Sequence, residues 1–315
     1  MVEATGTEAT APQGGTGRTG AAFLAVAVGA VAMGASPVFV RLADVGPFAS
    51  AFWRVALALP FLAAWMMWEE RLRLRALPRR LLAMPPLVAL AGLFFVGDLA
   101  FWHLAIMNTT VANATFLAAL APVMVVLGAW LLLRETVGRE IWAGLALGIV
   151  GAAFLLGSSY RFAPDHLLGD AFGLVTALFF GAYILAVRPA RARVSTGALL
   201  FGSSVVTAAG LLILALMTEA TLFPATLQGA AALLALALVS HAGGQGLLAF
   251  ALGHLPAAFS SLVIFVEGVA AAALGWLVLG EHLTLLQICG SLSIFAGIWI
   301  ARPRGRTRER RRTAQ

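Results

Sequence analysis

Apolar and polar positions along this chain fall in long blocks. Ten apolar stretches stand out, at about 21–40, 48–68, 84–106, 111–133, 139–157, 169–187, 196–217, 229–252, 257–279 and 284–301. Each holds roughly the 20 residues that a helix needs to cross ~30 Å of hydrocarbon. None alternates with period two, as barrel strands do, so helices are the elements that satisfy their backbone in lipid. The gaps between blocks carry turn chemistry: Val45-Gly46-Pro47, Pro85-Pro86, Ala163-Pro164-Asp165, Phe223-Pro224 and His254-Leu255-Pro256.

Composition narrows the class. Of 315 residues, 61% are hydrophobic and 11% charged, whereas a soluble domain carries about 25% charged residues. A soluble enzyme, a disordered chain and a disulfide-rich secreted module do not fit. The single cysteine, Cys289, leaves no disulfide framework and no cysteine-rich metal site. The expected fold class is an all-α polytopic membrane protein with ten transmembrane helices. Residues 1–20 are rich in Thr, Gly, Ala and Glu and read as a disordered cytoplasmic tail. They lack the basic start and short apolar core of a cleaved signal peptide.

The net charge is +7, and all 21 basic residues are Arg. On a soluble chain this balance would suggest nucleic acid. Here the arginines flank apolar blocks, where basic residues set topology. With ten spans, all but Arg41, Arg161 and the intra-span Arg54 fall on one side. That side holds the group Arg71 to Arg80, Arg134 and Arg139, Arg188 to Arg193, and the basic tail 302–315. The bias places both termini in the cytoplasm and removes nucleic acid as an expected partner.

The two halves repeat at an offset of 146 residues. Trp130-Leu131 matches Trp276-Leu277, Leu133 matches Leu279, and Glu135 matches Glu281. Gly144 and Gly151 match Gly290 and Gly297, and Ala112 and Val123 match Ala258 and Val269. The repeat unit holds five helices. Five is odd, so the second copy enters from the opposite side, and the two halves (21–157 and 169–301) become inverted repeats. Such repeats build alternating-access transporters with a site near the midplane.

Three stretches carry a family resemblance: Ala118 to Glu135, Leu255 to Gln287, and Phe48 to Val55 with Arg54 in an F-W-R context. The end of the sixth stretch, G-A-Y-I-L-A-V-R, adds to it. On these residues the chain resembles the EamA-type members of the drug/metabolite transporter superfamily over about 21–301. The resemblance implies ten helices in two inverted five-helix repeats, a bacterial inner-membrane location, and movement of small solutes, often outward. One departure is Gly268, where the family commonly has Pro after the Glu.

Ionisable groups inside spans cost roughly 2.5–3.5 kcal/mol each at a helix centre on insertion scales, so they mark function. The candidates for substrate binding or coupling are Arg54, Asp98, His103, His241, Gln245 and Glu267. Arg54 and Asp98 lie ~9 and ~12 Å from the outer face at 1.5 Å per residue. They either pair or line one cavity together; alternatively, Arg54 snorkels to the headgroups. Glu267 falls near the midplane, as a proton-coupling group, a grip for a cation, or a neutral carboxyl bonded between helices. His241 and Gln245, four apart, share a helix face, with Gly243, Gly244 and Gly246 thinning that helix. His103 pairs with Trp102 near the outer interface. Asn108, Thr109, Thr110 and Asn113 suit a turn and cap. Pro60 and Pro122 interrupt spans, and Glu135 and Glu281 suit the anchoring of inter-helix turns.

The expected function is secondary active transport, with export, of small metabolites such as amino acids or related amphipathic solutes. No cofactor, metal site or catalytic residue is expected. The chain has no G-x-x-x-x-G-K-[ST], H-E-x-x-H or G-x-S-x-G motif. Direct ATP coupling therefore gives way to a proton or solute gradient. A channel or scaffold is the alternative, with an intramembrane enzyme further behind. The expected partners are a small-molecule substrate, the lipid bilayer and a coupling proton.

Overall fold

The computed structural model describes residues 15–109, 111–157, 164–279 and 284–302. Residues 1–14, the arginines after Arg302, Arg161, Thr110 and Glu281 lie outside the described residues. Within them the chain is helical, with no strand. Helix α1 runs Gly15–Gly34 and continues as Ser36–Leu42; α2 runs Pro47–Ala56 and Leu59–Glu70. Helix α3 is Pro86–Asn108, α4 is Val111–Ala118 with Ala121–Leu131, and α5 is Arg139–Gly157. Helix α6 is Leu167–Ala190, α7 is Thr196–Thr218, and α8 runs Leu227–Ala235, Leu236–Gln245 and Gly246–Leu252. Helix α9 is Ala257–Val263 with Phe265–Leu279, and α10 is Leu285–Ala301. Residues 15–20, expected in the tail, thus begin α1.

Seven helical stretches are long and apolar enough to cross a membrane, whereas Phe116–Leu131 and Leu285–Ala301 are apolar but shorter. The chain is therefore an integral membrane protein. A count of ten spans goes beyond what helix length alone establishes.

Proline explains three of the interruptions. Pro37, Pro60 and Pro122 each stand in the first turn after a break. Having no N–H, they cannot serve the carbonyls of Met33, Ala56 and Ala118 four residues earlier. Helix α9 breaks at Ile264 without proline; the Ile264 N–H reaches back only to the Ser261 carbonyl, at 3.1 Å. Helix α8 opens into a π-helix over Leu236–Gln245, a form that recurs at functional sites.

The packing treats the halves alike. Helix α3 lies on α6 as α8 lies on α1, and α4 lies on α6 as α9 lies on α1. Helices α5 and α10 meet through the four glycines of the repeat. A Cβ on Gly151 would fall 2.6 Å from the Gly290 carbonyl, and one on Gly144 2.7 Å from that of Gly297. Rising numbers on α5 meet falling numbers on α10, so the two run antiparallel. Small residues are what allow backbones to come this close in a membrane.

Carboxylates tie helix ends across the halves. Glu219, after α7, accepts from the Phe48 and Ala49 N–H groups at the start of α2, at 2.5 and 3.0 Å. Glu69, at the end of α2, accepts from Thr196 and Gly197 at the start of α7, at 3.2 and 2.7 Å. Each helix therefore caps the other, meeting donors that a helix N-terminus leaves free. Glu135, after α4, accepts from Ala257 and Ala258 of α9 at 3.1 and 3.3 Å and lies 3.5 Å from Arg188.

The end holding Glu69, Glu135 and Arg188 is the arginine-rich one. There Glu70 takes two bonds from Arg80, at 2.6 and 2.8 Å, and one from Ser195 at 2.7 Å. The Glu70 bond raises the pKa of the Arg80 guanidinium. At the opposite end Asp44 accepts from the Ala225 and Thr226 N–H groups at 3.1 and 2.7 Å. The Thr226 side chain leads in holding that carboxyl below its ordinary pKa.

Candidate functional site

The helix breaks in α1, α4 and α9 converge on one cavity of about 130 Å3. A single water needs roughly 10–15 Å3 by the same kind of measure, so this space holds several waters or a small solute. Its wall is built from Gly34 and Ser36 at the α1 break, Ala118 and Pro122 at the α4 break, and Ile264 and Glu267 at the α9 break. The α4 and α9 breaks are repeat mates at the 146-residue offset. Ala118 corresponds to Ile264, Ala121 to Glu267 and Pro122 to Gly268, and all six line the cavity. The shape is thus drawn twice, but the carboxylate is written once, in the second half.

Four of the six residues singled out from the sequence line this space: Arg54 from α2, Asp98 from α3, Gln245 from α8 and Glu267 from α9. Arg54, Asp98 and Gln245 are buried, and Glu267 is half-buried. Arg54 and Asp98 share the cavity without pairing. Among the described residues the ion pairs are Glu70–Arg80 and Glu135–Arg188. The Nε of Arg54 and the Oε1 of Gln245 are buried with no hydrogen-bond partner. The carbonyls of Met33 and Ala118, freed by Pro37 and Pro122, belong to residues of the same wall. Leu99, Trp102, Phe180 and Phe265 supply apolar surface.

The other two lie behind the wall. His241 bonds through Nε2 to the Ser204 hydroxyl at 2.9 Å and stacks on Phe95, centroids 5.6 Å apart. Gln245, one turn on, reaches the cavity. Both residues lie in the π-helical stretch, whose turn is wider than an α-helical one, and the four-residue step carries one side chain into packing and the next into open space. His103 is buried, edge-on to Trp102 at 5.1 Å. Its Nδ1 lies 2.5 Å from the Leu99 carbonyl. A carbonyl only accepts, so Nδ1 carries the proton, and Nε2 is buried without a hydrogen-bond partner. Trp102, rather than His103, faces the cavity.

Other expectations resolve differently. Pro122 lines the cavity and Pro60 does not. Thr109 and Asn113 donate to Asp170 of α6, at 2.8 and 3.0 Å, joining α3 and α4 to α6. The α1 break was missed; its signal was Pro37 inside an apolar block. The ties made by Asp44, Glu69 and Glu219 were missed too; their signal was an acid at the edge of a span. The described residues contain no cluster of three or more His, Cys, Asp or Glu able to hold a metal.

The family model described as the EamA-like transporter family matches residues 20–157 and again 167–302. Two proteins of Archaeoglobus fulgidus, each named an uncharacterized transporter, are similar in sequence. One is 29% identical over 46% of this chain and 50% of its own length, so the match spans about half of that relative. The other is 28% identical over 62% of this chain and 69% of its own length. A crystal structure of a protein 19% identical in sequence superposes with a TM-score of 0.78, over 90% of this chain and 97% of that one. At that identity the likeness speaks for the fold alone.

Proposed function

Because the chain belongs to the EamA-like transporter family, and so is a membrane transporter, we propose that it is a secondary active carrier. It exports small metabolites, such as amino acids or related amphipathic solutes, by alternating access around the cavity. The observation that carries this reading is the cavity's inventory. One mostly apolar space holds a guanidinium outside any ion pair, two carboxylates and an amide oxygen without a donor. Buried polar groups left unmatched cost about 1–3 kcal/mol each, more when charged. A solute with a carboxylate, an ammonium and an apolar body answers all of them. Arg54 takes the solute's anion, Asp98 and Glu267 its cation, and Gln245 Oε1 a further N–H. His103 and His241 hold the wall in shape.

The antiparallel α5/α10 contact and the reciprocal α2/α7 ties support ten spans in two inverted halves, 21–157 and 169–301. An inverted repeat reaches its second conformation when the halves exchange roles. The arginine-rich end is the cytoplasmic one, which puts both termini on the cytoplasmic side of the bacterial inner membrane. Glu267 is the coupling group, taking up and releasing a proton as the cavity changes sides.

Proteoliposomes test this. A panel of amino acids is screened for saturable uptake, trans-stimulated counterflow and flux driven by a pH gradient. The expected result is saturation with counterflow for one class, with Glu267→Gln keeping counterflow and losing the pH-driven component. Unsaturable conductance would make the protein a channel. Full pH-driven flux in Glu267→Gln would remove that residue from coupling.

A further inference from the structure

A second concavity faces the lipid rather than the cavity. Phe23, Val28 and Val31 of α1 form one wall, Phe295 and Ile298 of α10 the other, and Val266 of α9 the floor. Every residue that lines it is apolar. Phe23, Val28, Val31 and Phe295 are between 42% and 50% exposed, so the groove opens outward from a bundle that sits in a membrane.

Its length and position are informative. From Phe23 to Val31 is ~12 Å at 1.5 Å per residue, close to the half-thickness of a ~30 Å hydrocarbon core. The groove therefore spans one leaflet. It lies toward the arginine-rich end, because Phe23 stacks on Phe259 in the first turn of α9, centroids 6.1 Å apart. One turn beyond Ile298 stands Arg302, its guanidinium 3.7 Å above the Trp299 ring. Trp299 is 65% exposed, the placement of an aromatic anchor at the headgroup level. An apolar slot one leaflet deep thus ends beside a cation at the interface.

We propose that this groove holds one acyl chain of an anionic phospholipid from the leaflet at the arginine-rich end, with the headgroup phosphate at Arg302. The slot offers nothing for a polar ligand to bond, and hydrocarbon is what surrounds it. The charge at its mouth selects an anionic headgroup, as basic residues at a membrane surface do. The site also touches the working part of the molecule. Val263 and Val266 face the groove on either side of the α9 break, while Ile264 and Phe265 between them line the central cavity. The lipid chain braces the break from outside.

Native mass spectrometry of the full chain tests this, after purification in detergent and addition of dioleoyl phosphatidylglycerol or dioleoyl phosphatidylcholine. Val28→Trp fills the slot; Arg302→Gln removes the cation; Val150→Trp changes a half-exposed α5 position outside the groove. The wild type is expected to keep one phosphatidylglycerol under activation that strips the others. Val28→Trp is expected to lower that retention about tenfold, the effect of excluding roughly two buried methylene groups. Arg302→Gln is expected to narrow the preference for phosphatidylglycerol over phosphatidylcholine about fivefold, the effect of one basic residue at an anionic surface, and Val150→Trp to change nothing. Retention in Val28→Trp equal to wild type would overturn the proposal. So would an equal loss in Val150→Trp, or a wild-type dimer that Val28→Trp dissociates, since a second copy would then cover the groove.

Discussion

The reciprocal ties between α2 and α7 allow a quantitative expectation. Glu219→Ala removes two charge-assisted bonds, to Phe48 and Ala49, and Glu69→Ala removes two, to Thr196 and Gly197. Replacing a capping side chain by Ala costs about 1 kcal/mol, and an ionised acceptor roughly doubles a hydrogen bond's strength. Each substitution should therefore cost about 2 kcal/mol. The ties sit at opposite ends of a 23-residue helix, ~33 Å apart at 1.5 Å per residue. Sites so far apart add to within about 0.3–0.5 kcal/mol, so the double variant should lose about 4 kcal/mol. The assay is reversible unfolding in mixed micelles, with Arg73→Gln as an exposed control. A single variant within about 0.5 kcal/mol of the wild type, the scale of ordinary surface changes, would refute the reasoning. A double variant no worse than one single would show that the ties do not act independently.

Three further outcomes follow from the packing and the charges. Gly151→Ala drives a Cβ to 2.6 Å from the Gly290 carbonyl, whereas Gly268→Ala meets nothing nearer than Leu155 at 4.0 Å. The first should cost about 1–3 kcal/mol as overpacking and the second far less, read by thermal melts of both. Asp44 is held below its ordinary value of 3.8, so its tie to Thr226 is fully present above that value and is lost as pH falls through the folded pKa. Asp44→Asn should therefore melt below the wild type at neutral pH and converge with it in acid, read from melting temperature against pH. Ser204→Ala leaves His241 with neither ring nitrogen partnered and should cost about 1–3 kcal/mol, while Thr218→Ala, whose exposed hydroxyl donates to the Leu214 carbonyl of its own helix, should cost less in the same unfolding assay.

The fold was legible where hydropathy writes in long blocks. The ends of α3, α5 and α7 fall within a few residues of the apolar stretches, because the same desolvation penalty sets both. The internal repeat was legible because Gly144, Gly151, Gly290 and Gly297 answer a steric demand that few other residues meet. Membrane cost pointed to Arg54, Asp98, Gln245 and Glu267, and these four line one cavity. The same cost could not tell a lining group from a packed one. His241 and His103 are buried as Asp98 is, yet each bonds through one ring nitrogen, to Ser204 and to Leu99, and neither lines the cavity. The α9 break was illegible, since Ile264 carries no proline and the break comes from the fold around it. The caps were illegible in detail because an acid at a span's edge does not say which distant helix it will meet.

The matched breaks of α4 and α9 have a thermodynamic consequence. Exchanging the two halves would rebuild the cavity's outline on the other side of the membrane, but not its charges, since Ala121 stands where Glu267 has its mate. A carrier made this way would grip its solute differently from its two faces. Detailed balance then links grip to conformation: the inward–outward preference of the empty carrier must differ from that of the loaded one by the same factor as the two affinities, or the cycle would pump without a driving force. Half-saturation measured on right-side-out and on inverted vesicles should accordingly differ, and Glu267→Gln should bring the two values together.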